Sequence, residues 1–233
     1  RGLGDVYKRQ YSDNTNFTFL QNTIADTASV YGPCAGAFAM KDWHQALVDT
    51  FDVLRGKGCK NNNGVVEKQV HGYDTWERES LKNEENPAPQ YNLTEKKILR
   101  KYVGGDECDM EIAFEGRLVG GCMDCLVNLT GTSFDKVKEF NERYAADGII
   151  WFLESCDLNV FAIRRAMWQM DNAGWFKNVK GFLIGRPLCY GQEMMGLDQY
   201  RAVTGIAAKY NVPVIMDLSL IHISEPTRLR RIS

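Results

Sequence analysis

The six residues IIWFLE at 149–154 constrain the fold more than any other stretch of the chain. Five apolar side chains in a row cannot alternate between core and water. A strand made of them has to be covered on both faces, which is the situation of parallel strands in α/β proteins. The segments that follow repeat the theme. DLNVFAIRRAMWQMDNAGWF has helical period with Asp157 or Asn159 available as N-cap, KGFLIGRP is a second apolar strand, GLDQYRAVTGIAAKYN a helix, and VPVIMD a third strand. Strands alternating with helices at this spacing predict α/β architecture with at least part of the sheet parallel.

Upstream the pattern is looser. TNFTFLQNTIADTAS predicts a helix with Ser12, Asp13 or Asn14 as cap, and after VYGP a second amphipathic helix spans KDWHQALVDTFDVLRGKG, stopped by Gly56 and Gly58. From CKNNNG to about NEENPAPQYN, polar residues, Gly and Pro cluster, predicting a long irregular connection between two halves. EIAFEGR reads as a strand, GGCMDCLVNLTGT as a glycine turn feeding a short buried helix, and SFDKVKEFNERYAADG as an element ending at Gly148.

The two ends follow a different logic. One possible coding strand for RGLGDVYKRQ, residues 1–10, has a reverse complement that translates as LSLIHISEPT, residues 218–227. No folding principle relates two such decapeptides, and DNA of this kind resembles a library adapter joined in opposite orientations to both ends of a genomic fragment. Residues 1–10 and 218–233 are therefore expected to be adapter-derived rather than native. Residues 11–217 are then an interior piece of a longer protein, incomplete at both ends. The whole chain has a formal charge of −2, but its ends hold Arg1, Lys8, Arg9, Arg228, Arg230 and Arg231 against Asp5 and Glu225, so residues 11–217 stand near −6. That balance speaks against a nucleic-acid or anionic-membrane partner, and no apolar run approaches the roughly 20 residues of a membrane span. Seven cysteines at irregular spacing suit reduced thiols in a cytoplasmic protein better than a disulfide framework.

Few residues carry candidate chemistry. Ser12 sits where a strand would hand over to a helix, a turn that can project a nucleophilic hydroxyl beside an oxyanion site, although a capping serine has the same position. Glu154, at the end of a buried strand, is placed either as an active-site carboxylate or as a strand-end partner for Arg164 or Arg165. Cys122 and Cys125 form a lone CxxC without a histidine at metal-ligand spacing, which reads as structural thiols, and no metal is expected. The Gly104-Gly105 and Gly120-Gly121 pairs do not make a phosphate-binding loop. Trp151, Trp168 and Trp175 fall in apolar periodic segments and are expected in the core. Trp76 lies amid polar residues of the long connection, where it either stacks on a flat ligand group or packs on its own loop.

Taken together and in order, YSDNTN, VYGPCAGAF, GRLVGGCMDCLVNLTGT, IIWFLE, AIRRAMWQM, GFLIGRP and NVPVIMD resemble the LD-carboxypeptidase family of serine peptidases. Within it they are most similar to the branch that includes microcin C immunity peptidases. The resemblance runs through residues 11–217. It implies a two-domain α/β fold with the site in the cleft between the domains. Residues 11–70 would be the C-terminal part of the nucleophile-bearing first domain. Residues 71–217 would be the connection and most of the second domain, which carries the acid. A homodimer without a cofactor is implied as well.

The family uses a Ser–His–Glu triad, and the resemblance carries it over residue by residue. Tyr11-Ser12-Asp13 match the family's nucleophile turn, with Gln10 at the position of its glycine, and Glu154 matches the acid. The family's histidine follows a V-P-V-x-x-D strand in a Gly-His pair. Counting on from Asp217 places His222 at about that position, preceded by Ile221 and inside the stretch expected to be adapter-derived. The chemistry implied is acyl transfer. Histidine takes the Ser12 proton, Glu154 orients the imidazolium, and backbone N–H groups including that of Asp13 hold the oxyanion. Two substrates are implied: a muropeptide trimmed of D-alanine in peptidoglycan recycling, or an amide joining a peptide or aspartyl residue to a nucleotide-like group. Trp76 tips the balance toward the second as a surface for a base. A non-catalytic binding module on a peptidase-like scaffold is the alternative. Without the family's N-terminal glycine-rich loop and a native histidine region, the chain itself is expected to be inactive.

Overall fold

A computed structural model describes residues 14–29, 31–33, 35–55, 59–60, 66–67 and 73–219. Helix α1 (Thr15–Thr23), a 3₁₀ turn (Ala35–Ala39) and α2 (Gln45–Leu54) come first, followed by the two-residue ribbons β1 (Cys59–Lys60) with β2 (Val66–Glu67) and β3 (Thr75–Trp76) with β4 (Glu95–Lys96). Then come β5 (Arg100–Val103), β6 (Asp106–Glu107), β7 (Arg117–Cys122), α3 (Met123–Leu129), α4 (Val137–Arg143), β8 (Ile149–Glu154), α5 (Val160–Asn172) and β9 (Val179–Gly185). A ribbon of β10 (Glu193–Met194) and β11 (Leu197–Asp198), helix α6 (Gln199–Ala207), a 3₁₀ turn (Ala208–Tyr210) and β12 (Val214–Leu218) complete the order.

The fold is α/β, built on a six-stranded mixed sheet in the order β6-β5-β12-β9-β8-β7. The four strands β7, β8, β9 and β12 run parallel, and β5 joins β12 antiparallel, with β6 beyond it at the edge. Side chains alternate between the faces as strand geometry requires. Ile149, Trp151 and Leu153 of β8, with Phe182 and Ile184 of β9, meet α1 and α3 to α6 in the larger core cluster. Ile150, Phe152 and Leu183 point the other way and are covered by Tyr31, Ile112 and Phe114. The helical face is filled by an aromatic stack in which Trp175 lies 5.3 Å from Phe19 and 5.7 Å from Trp151, both nearly parallel.

Several elements differ from the sequence expectation. The strand read over EIAFEGR begins at Arg117 and continues through the glycines to Cys122. Gly120 and Gly121 are therefore strand residues rather than a turn. Their φ values are +152° and +143°, and a Cβ would lie 1.7 Å from the Phe152 carbonyl oxygen at Gly120 and 2.5 Å from Thr15 Cγ2 at Gly121. Glycine is what lets β7 approach β8 on one side and admit the first turn of α1 on the other. Helix α2 starts at Gln45 rather than Lys41, because His44 Nδ1 accepts the Ala46 N–H at 3.1 Å and caps it there. The long connection is not wholly irregular: β1 to β3 lie in it and β4 to β6 follow just after it. Of the two caps offered for α5, Asn159 is used, accepting the Ala162 N–H at 2.9 Å. Trp151 and Trp175 are buried, but Trp168 is 58% exposed, since it falls one position off the inward stripe of Met167 and Met170.

Replacing Gly120 with Ala should destabilise the protein by more than about 4 kcal/mol, because the clash is with backbone that has nowhere to go. Gly131→Ala, at φ +75° with nothing within 4 Å, should cost only about 1–2 kcal/mol of left-handed backbone strain. Urea unfolding of the two variants checks the difference; equal losses would contradict the close-approach account.

Candidate active site at the carboxyl edge of the sheet

The parallel strands end side by side at Cys122, Glu154, Gly185 and Leu218, and open α/β sheets bind ligands beyond such ends. Cys122 and Glu154 are register partners on adjacent strands. Helix α1 is docked onto the first of them: the Cys122 N–H donates to Thr15 Oγ1 at 2.9 Å, and Thr15 is fully buried. The second is met by Tyr31, whose hydroxyl donates to Glu154 Oε1. The N-terminal segment thus reaches two adjacent strand ends through two side chains.

Glu154 is the only acidic residue of β8 and sits on the face of Ile150 and Phe152. Enclosure by protein raises its pKa above the usual carboxylate range, the Tyr31 hydrogen bond opposes that rise, and the charge of Asp124 adds to it. Asp124, in the first turn of α3, is the residue that shapes this corner. Its Oδ2 accepts the Cys156 N–H at 3.0 Å and the Cys122 thiol at 3.2 Å, and its Oδ1 accepts the Asp157 N–H at 2.9 Å. It ties the turn after β8 to the end of β7 and so fixes where Glu154 emerges. The Cys122 thiol is pushed well up by its hydrogen bond with Cys125 and by burial, and Cys156 is raised by burial to about 11. Neither has the character of a reactive thiolate, which fits the structural role expected of the CxxC pair. Among the described residues, no group of three or more His, Cys, Asp or Glu could hold a metal ion.

At the next two strand ends, Arg186 and Asp217 organise the backbone. Arg186 donates its N–H to the Leu218 carbonyl at 2.9 Å and its Nη1 to the Asp217 carbonyl at 3.0 Å. The Asp217 carboxylate is buried and accepts from Tyr200 OH at 2.8 Å and Gln199 Nε2 at 3.1 Å, and its φ is +66°. Burial raises its pKa despite those donors.

Trp76 folds back to this edge. The Arg186 guanidinium lies over its ring at 4.2 Å, Tyr190 meets it edge-on at 5.3 Å, and its Nε1–H donates to the Lys96 carbonyl at 3.2 Å. It is therefore packed against the turn after β9 as well as its own ribbon, and remains partly exposed. Of the residues singled out in the sequence, Glu154 and Trp76 lie at the same edge of the sheet, on or against neighbouring strands. Ser12, Asp13 and His222 lie outside the described residues. Thr15, Tyr31, Asp124 and Arg186 were not anticipated. Asp124 offered a sequence signal, an acid in the first turn of a short helix, whereas Tyr31 offered none beyond its place before Gly-Pro.

Residues 115–230 match the sequence profile of the LD-carboxypeptidase C-terminal domain, and the chain belongs to the LD-carboxypeptidase family. No curated protein matches the sequence. Among solved structures, the microcin C7 self-immunity protein MccF bound to aspartyl sulfamoyl adenosine aligns with 95% of the chain at a TM-score of 0.64 and 15% identity. An MccF-like protein from Bacillus anthracis str. Ames aligns with 93% at 0.64 and 20%. Muramoyltetrapeptide carboxypeptidase from Oxalobacter formigenes aligns with 95% at 0.56 and 18%. The chain spans 61%, 59% and 60% of these three proteins. Among the described residues no helix is long and apolar enough to cross a membrane.

A carboxyl group whose pKa is raised by folding contributes stability that is lost as pH rises through the folded value. Ionised Glu154 therefore burdens the fold at neutral pH. Glu154→Gln keeps the shape and an acceptor for Tyr31, so it should melt at a higher temperature than the parent at pH 7, with the gap closing as pH falls into the ordinary carboxylate range. Thermal melts across pH 4–8 check this, and an unchanged or lowered melting temperature at pH 7 would contradict it.

Proposed function

We propose that this chain carries part of a serine-type peptidase or amidase site, in which Ser12 attacks an amide carbonyl, a histidine at the position of His222 moves the proton, and Glu154 orients that histidine. The Asp13 N–H is assigned to the oxyanion. What supports the reading most is Glu154 at the carboxyl end of β8, held by Tyr31, with the first turn of α1 seated on the adjacent strand end. Thr15, three residues beyond Ser12, forms that seat. His222 falls inside the span matched by the family profile. The boundary between a nucleophile-bearing segment, residues 11–70, and an acid-bearing segment, residues 71–217, belongs to the same proposal, as do a homodimeric, cytoplasmic enzyme and a place in peptidoglycan recycling for the muropeptide alternative.

Two substrates fit this chemistry, an LD-linked muropeptide and a peptidyl- or aspartyl-nucleotide conjugate. Trp76 favours the conjugate. Its ring is steadied by Arg186 and keeps partial exposure at the edge where Glu154 ends, as a surface for stacking a base needs. Trp76→Ala should weaken binding of an aspartyl sulfamoyl adenosine probe by about 1–3 kcal/mol and leave a muropeptide unaffected, measured by calorimetry. An equal loss on both ligands would remove the base-stacking role. For turnover, Gln10 and Ile221 stand where the family has glycines beside the nucleophile and the histidine, so the 233-residue chain should bind without hydrolysing. Amide hydrolysis by the purified chain that is lost in Ser12→Ala would refute that restriction and support Ser12. In a protein that includes the remaining length of the structural neighbours and a Gly-His pair, Ser12→Ala and Glu154→Gln should each abolish hydrolysis.

A further inference from the structure

We infer that Tyr31 is the positioning residue of Glu154: its hydroxyl clamps one carboxylate oxygen and leaves the other to face the group that Glu154 serves. The inference rests on the proposed role of Glu154 as the acid. Tyr31 is 123 residues away in sequence and comes from the segment that also supplies Thr15. Its ring packs on Phe152, two residues before Glu154 on the same face of β8, with centroids 5.3 Å apart, and only 5% of Tyr31 is exposed. A buried phenol needs an acceptor, and among the described residues that acceptor is Glu154 Oε1. Tyr31 holds Oε1, and Oε2 is the oxygen assigned to an imidazole N–H. A hydrogen bond to a charged acceptor is stronger and more directional than a neutral one.

The proton stays on Tyr31. Burial and the Glu154 charge push the phenol far above its ordinary range, so Tyr31 donates at every working pH. Among the described residues, the other titratable groups around the carboxyl are Cys122 at the end of β7, Asp124 in α3 and Cys156 in the turn after β8. Among the described residues none of these donates a hydrogen bond to Glu154, and the charge of Asp124 repels it. Thr15 and Tyr31 grip two register-paired residues, Cys122 and Glu154. Docking of the N-terminal segment and orientation of the acid are thus one structural event.

The test is Tyr31→Phe in the whole chain, which keeps the ring and its packing on Phe152. With glutamate labelled at the side-chain carboxyl with carbon-13, the Glu154 titration is followed by NMR, the signal being assigned by its absence in Glu154→Gln. The expected result is a Glu154 midpoint moved upward in Tyr31→Phe while circular dichroism shows the fold retained. An unmoved midpoint overturns the inference. In the complete enzyme the same variant should lower kcat by about 10- to 100-fold, the scale of one hydrogen bond to a charged group, with KM little changed; a change confined to KM overturns the positioning role. The catalytic reading fails separately: if Glu154→Gln leaves hydrolysis intact, Glu154 is not the acid, whatever its titration does.

Discussion

Strand β8 can exist only if it is enclosed on every side, and the rest of the structure supplies the enclosure. Its edges are taken by β7 and β9 in parallel register. Ile149, Ile150, Trp151, Phe152 and Leu153 are each 2% exposed or less, and full burial of such side chains contributes on the order of 1.5–3 kcal/mol apiece. The helices cover one face. The other is closed by Tyr31, Ile112 and Phe114. Because the apolar run stops at Glu154, the first polar group of the strand emerges at a well-defined point, with its neighbours already packed.

That point is electrostatically expensive. Glu154 and Asp217 both have pKa values raised by burial, and each is held by a tyrosine hydroxyl, from Tyr31 and Tyr200. Two carboxylates kept inside a protein at the ends of parallel strands are not what stability alone selects, and such groups cluster where function needs them. The glycines of β7 belong to the same arrangement. A side chain at Gly121 would push Thr15 away, and with it the start of α1. Asp124 then binds the turn after β8, so backbone shape and side-chain charge are set by one residue.

The parallel core was legible because its signals are local. IIWFLE gave the bounds of β8 outright, and the helical period of DLNVFAIRRAMWQMDNAGWF gave α5, which uses Asn159 of its two candidate caps. What failed was the part decided by distant partners. Arg100–Val103 has two charged residues in four and becomes a strand only by pairing with β12. Gly120 and Gly121 have low strand propensity and read as a turn until Phe152 and Thr15 are beside them. Glu154 could be singled out because its signal is positional, at the end of an apolar run. Tyr31 could not, since a tyrosine before Gly-Pro reads as a turn and nothing local indicates a carboxylate 123 residues on. The indole of Trp76 was noticed for lacking a core nearby, but its cover by Arg186 depends on the connection returning to the sheet edge.

The central claim is that one site lies at the carboxyl edge of β7, β8 and β9, built jointly by the N-terminal segment and the sheet. Titrating the isotope-labelled chain with aspartyl sulfamoyl adenosine and mapping chemical-shift changes tests it most directly. The account predicts changes concentrated at Thr15, Tyr31, Cys122 and Glu154, with the Trp76 indole among them. Changes confined to the β5–β6 edge or to the outer face of α5, with that group of residues unmoved, would contradict it.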